Sequence, residues 1–92
     1  MELTEYRERI DALDREIIAL LEARMDVAAG IAAYKQDAGL AILDTAREQV
    51  KLDAVRSQCR KETADLIADV FTAILAASRS HQARCMEDRH GG

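Results

Sequence analysis

Ninety-two residues suffice for one domain, and with nearly half of them hydrophobic, three aromatic and no proline they favour helices packed through Leu, Ile, Val and Ala over a sheet. A net charge of −4 argues against nucleic acid as a partner. The charged opening MELTEYRERIDALD does not read as a signal peptide, and no apolar run reaches membrane-spanning length, so a cytoplasmic protein with no membrane partner is expected.

The first predicted element runs from about residue 4 to 38. Leu3, Tyr6, Ile10, Leu13, Ile17 and Leu20 recur in steps of three and four. The rhythm continues through position 24 to Val27, Ile31 and Tyr34, a heptad-like seam on one helix. Thr4 offers an N-cap and Gly39 a stop, with Lys35 in the last turn where the helix dipole favours a cation. Gly30, inside the helix, would admit a close neighbouring helix. At 1.5 Å per residue this helix is roughly 50 Å long, whereas a compact globule of this size is about 30 Å across. The rest of the chain cannot wrap it, and the simplest cover for the seam is a second copy.

Asp44 and Thr45 follow the Leu40 to Leu43 connection as caps for a second helix, and Thr45 with Glu48 has capping-box spacing. This helix carries Val50, Leu52 and Val55 and ends near Cys59 to Lys61. Thr63 can cap a third helix whose stripe is Ile67, Val70, Phe71, Ile74 and Leu75, ending near Met86. Residues 1–86 thus read as a single all-α domain of three helices, and residues 87–92 as a frayed, disordered tail. Cys59 and Cys85 match no metal or redox spacing and read as reduced thiols.

The pattern breaks at polar residues. Arg24 holds a seam position, where a guanidinium is costly unless an anion meets it. Taken alone, it is explained equally well by a structural ion pair or a snorkelling side chain. Lys35 lies eleven residues on, close to three turns, and projects from nearly the same face. By itself it is a solvated C-terminal cation; together the two suggest an anion pocket. Ser78 and Gln82 continue the stripe of the third helix, or the stripe simply ends there and both face water. Asp44, Arg47 and Glu48 share a face that capping and an ordinary helical ion pair would explain, and Arg7 reads as a surface charge. No nucleophile with its base, metal cluster or glycine-rich phosphate loop is present. Chemistry built from these groups would hold an anion and stabilise developing charge.

The ordered set resembles the all-helical class of chorismate mutases over about residues 3 to 84. The opening pattern is Arg7 to Asp14, then Leu20-Leu21-Glu22-Ala23-Arg24. The middle is Tyr34-Lys35, then Gly39 to Glu48, and the end is Phe71 to Gln82. Thr45 stands where the family usually has proline, and the connection from Arg60 to Ala64 is short, which implies altered packing without loss of chemistry. The resemblance implies three helices per chain interlocked into a six-helix homodimer with two active sites. It implies rearrangement of the dicarboxylate chorismate to prephenate in aromatic amino-acid biosynthesis, with no cofactor and no metal. Arg24 and Arg47 would bind substrate carboxylates with Ser78 assisting, and Arg7 would reach into the partner chain's site. Lys35 and Gln82 would donate to the ether oxygen, and Glu48 would accept from the ring hydroxyl with Asp44 nearby. Some relatives carry Glu where this chain has Gln82, so no acid-dependent activity is expected from that position. No regulatory extension is evident, so feedback by aromatic amino acids within the chain is not expected. Four other readings stay open: the same fold acting on 4-amino-4-deoxychorismate, an isochorismate pyruvate lyase, a generic antiparallel coiled-coil module, which explains the seam but not Arg24 within it, and a non-catalytic helical dimer. Loss of Arg24, Lys35 or Gln82 would mark the last, and all three are present.

Overall fold

The computed structural model describes residues 1–91, with the side chain of His90 excepted. Three helices form in the expected order: α1 (Leu3–Ala38), α2 (Thr45–Gln58) and α3 (Ala64–Gly91). No described helix is long and apolar enough to cross a membrane.

α1 starts one residue ahead of the expected Thr4 cap. Glu2 takes the cap position without a side-chain bond, because this end is exposed and water serves its free amides. α1 stops at Gly39, whose φ of 70° only glycine adopts cheaply. The Leu40 amide donates to Lys35 and the Gly39 amide to Gln36, a Schellman turn that sends the chain back across the helix end. Asp44 alone caps α2, accepting from the Arg47 amide at 2.9 Å. The capping box expected for Thr45 and Glu48 does not form, because the Glu48 carboxylate bonds Arg79 on α3. The Thr63 hydroxyl donates back to the Arg60 carbonyl, so it closes the turn before α3 and does not cap the helix.

α3 lies between the other two. Ile17 to Leu21 lie beside Val70 to Ile74, and Gln36 reaches Met86 further along, so α1 and α3 run parallel. Glu48 meets Arg79 and Arg56 meets Asp65, so α2 runs antiparallel to α3. α1 and α2 do not pack on each other. The expected frayed tail from residue 87 is instead helical through Gly91. Arg89 holds it by bonding the Ala33 carbonyl, Gln36 Oε1 and Asp37 on α1. Gly92, the last residue of that tail, lies outside the described residues.

The result is a layer one helix thick, with extents of 53 × 29 × 13 Å. Its buried apolar residues are Ala28, Ala32, Val55, Ala68 and Leu75, three of them alanines where α3 crosses its neighbours. Every residue from Met1 to Leu20 is exposed, including the seam residues Tyr6, Ile10, Leu13 and Ile17. Among the described residues nothing lies within 4 Å of where a β-carbon on Gly30 would stand, so its small size serves no packing between them.

Candidate active site

The Schellman turn at Gly39 brings residues 40–44 back over the end of α1 and starts α2 against the second half of α3. A cavity of about 530 Å³ forms where these elements meet. Arg24, Lys35, Asp44, Arg47, Glu48, Ser78 and Gln82 all line it. Val27, Ala28, Ile31, Ile42 and Leu75 supply apolar wall. That volume suits a small organic molecule.

Arg24 and Lys35 share a cavity, as their eleven-residue spacing requires. Lys35 Nζ donates to the Ile42 carbonyl at 2.7 Å, which fixes the long side chain and leaves two donors for a ligand. Ser78 and Gln82 do not face water. They are 8% and 6% exposed and are the buried polar residues among those described. Gln82 Nε2 donates to Ser78 Oγ at 3.2 Å, while Gln82 Oε1 is buried without a partner. Buried polar atoms are normally satisfied, so this oxygen is open to a donor that the described residues do not supply. The helical ion pair expected within Asp44, Arg47 and Glu48 is absent among the described residues. Asp44 is spent on the cap, and Glu48 is bonded across the helix interface.

Two lining cations lie outside the residues that the broken pattern marks. Arg79 follows Ser78 and completes the i, i+3, i+4, i+7 set of Leu75, Ser78, Arg79 and Gln82. Lys51 sits one turn beyond Arg47, with its Nζ 5.9 Å from the centre of the Phe71 ring. Both were legible as extensions of faces already identified. Arg24, Lys35, Arg47, Lys51 and Arg79 against Asp44 and Glu48 give five positive and two negative charges, a net +3 in a chain of net −4. Such a concave, partly apolar site concentrates anions.

Arg7 stands apart. It is exposed and does not line the cavity. Seventeen residues of helix separate it from Arg24, about 25 Å along the axis. A second, apolar hollow is lined by Ile17, Leu20, Leu21, Val70, Phe71 and Ile74, and Arg24 lines it as well.

Comparison with known proteins matches residues 6–83 to the family model of chorismate mutase type II. A chorismate mutase of Methanocaldococcus jannaschii is 27% identical over 88 residues, covering 94% of this chain and 89% of that protein. The T-protein of Haemophilus influenzae is 34% identical over 82 residues, covering 87% of this chain but 22% of that much longer protein. The chain has no significant match among solved structures. With the family model spanning most of its length, the chain belongs to the chorismate mutase type II family, a family of isomerases.

Proposed function

We propose that the cavity converts chorismate to prephenate. The observation that carries this reading is the convergence of Arg24, Lys35, Glu48 and Gln82, drawn from all three helices, in one net-positive cavity. In the reaction the ether C–O bond breaks as a C–C bond forms, within one molecule and with no proton or electron supplied from outside. The barrier is that of folding a floppy dianion into a chair-like shape while negative charge grows on the ether oxygen.

Arg24 and Arg47 hold the two carboxylates, with Ser78 assisting. Lys35, already oriented by Ile42, donates to the ether oxygen. Gln82 is the second donor. A half-turn of its amide lets the Ser78 hydroxyl donate to Oε1 and puts Nε2 in the unpartnered position, facing an acceptor. Glu48 accepts from the ring hydroxyl, with Asp44 nearby at the exposed mouth. These groups add attraction as charge develops, which is the condition for accelerating the step.

The active species is a homodimer of two such layers, with Arg7 of each chain completing the other chain's site. Support comes from the exposed seam, from a layer one helix thick, and from the distance that keeps Arg7 out of its own cavity.

The test is chorismate disappearance, followed by absorbance, with Arg24→Ala in parallel. Rapid loss with prephenate as product, reduced at least about 10²-fold in the variant, is expected. No turnover by a folded wild-type protein would overturn the reading.

A further inference from the structure

We infer that Arg79 is a specificity-determining residue, which makes the Glu48 end of the cavity accept a neutral hydroxyl donor and reject a cationic one. The inference rests on the proposed reading of the site and concerns one group of the substrate, the substituent that meets Glu48.

A lone carboxylate on the wall of a cavity does not reject an ammonium in favour of a hydroxyl. Both donate to it, and the ammonium gains Coulomb attraction besides. Glu48 is not alone. The Arg79 guanidinium bridges both of its carboxylate oxygens. The pair is partly shielded from solvent, with side chains 24% and 33% exposed, so water screens it incompletely. Arg79 therefore cancels most of the field that would draw a cation to this wall. Lys51, on the same face of α2 as Glu48, adds a second positive charge to the cavity. The other carboxylate, Asp44, is exposed, and its Oδ1 is taken by the Arg47 amide.

A neutral hydroxyl loses little in this setting. It needs one acceptor lone pair, and each Glu48 oxygen keeps one after bonding Arg79. An ammonium at the same place would be desolvated beside a carboxylate already paired and within reach of a fixed guanidinium. Discrimination thus comes from a repulsive element built beside the attractive one. Arg79 also fixes the rotamer of Glu48 by joining α2 to α3, so the acceptor is in place before substrate arrives.

The experiment compares chorismate with 4-amino-4-deoxychorismate, which carries an ammonium for the ring hydroxyl, on wild type, Arg79→Met and Arg79→Lys. The readout is the ratio of kcat/KM for the two compounds. Wild type should favour the hydroxyl compound. Arg79→Met, which keeps length and removes charge, should shift the ratio toward the amino compound by about 10- to 100-fold. Arg79→Lys, which keeps the cation, should stay near the wild-type ratio. A merely structural role would lower both rates together and leave the ratio unchanged, and that result overturns the inference. So does a lysine variant that behaves like methionine. Failure of wild type to turn over either compound removes the proposed reaction itself, and the inference with it.

Discussion

The double substitution Leu13→Ala with Ile17→Ala tests whether two layers must pair. A compact monomer of 10.2 kDa exposes about 5,300 Å² by the usual scaling of surface with mass. This chain exposes 7154 Å², an excess of roughly 1,800 Å² over that scaling. Two such chains would remove about 3,600 Å², within the range of obligate dimers. Leu13 and Ile17 are 53% and 51% exposed, so about half of each side chain's burial energy is still to be gained. That is about 1 kcal/mol per side chain, and four side chains per dimer give about 4 kcal/mol. The dissociation constant should rise about 10³-fold. Residual cavities would enlarge the effect. Sedimentation equilibrium over a wide dilution series measures it directly. Specific activity should fall at the same concentrations at which dimer is lost. A wild-type chain that sediments as a monomer while turning over chorismate at full rate would refute the reasoning. So would a double variant that dissociates like wild type.

Two further outcomes are expected. Gln82→Glu should make activity acid-dependent, because a carboxylate donates to the ether oxygen only when protonated and burial at this position raises its pKa. Its kcat/KM should be low near neutral pH and climb as pH falls, while wild type lacks that limb; parallel flat profiles would remove Gln82 from the role of donor. Mixing Arg7→Ala with Arg24→Ala, after dissociation and reassembly, should restore about one quarter of wild-type activity. Half of the dimers are then mixed, and each mixed dimer carries one intact site. If Arg7 serves its own chain, every site in the mixture lacks one arginine and nothing is restored.

The long helix was readable because its signals agree. Seam, length and a glycine stop all specify one element ending at Ala38. The site was readable on each helix separately, since Arg24 with Lys35, and Ser78 with Gln82, each break an apolar stripe at helical spacing. Periodicity does not reveal which face of one helix meets which face of another. Spacing alone places Glu48 within its own helix, as a capping-box residue or a neighbour of Arg47, whereas its partner is Arg79 on α3. The same limit hid the end of α3. Residues 87–91 have no apolar rhythm, and what orders them is Arg89 meeting Asp37, 52 residues away in sequence. Local preference specified a loose end, and a tertiary contact overrode it.

Arg24 stands between the charged cavity and the apolar hollow. Its side chain lines the charged cavity on one side and, on the other, the apolar hollow of Ile17, Leu20, Leu21, Val70, Phe71 and Ile74. Open to water, that hollow leaves the guanidinium screened and weak as an anion holder. If apolar side chains of the second copy fill that hollow in the proposed dimer, they remove water from one face of Arg24. The same charge then acts through a lower effective dielectric, and each unit charge it meets counts for more. An arginine in an apolar seam is costly for a helix alone, yet it suits a site that reaches full strength on pairing. Seam substitutions should accordingly reduce kcat/KM even at concentrations where sedimentation still finds dimer, in proportion to the water they readmit beside Arg24. Seam variants that dissociate more readily, yet keep the wild-type kcat/KM while dimeric, would separate assembly from chemistry and leave Arg24 acting in the cavity alone.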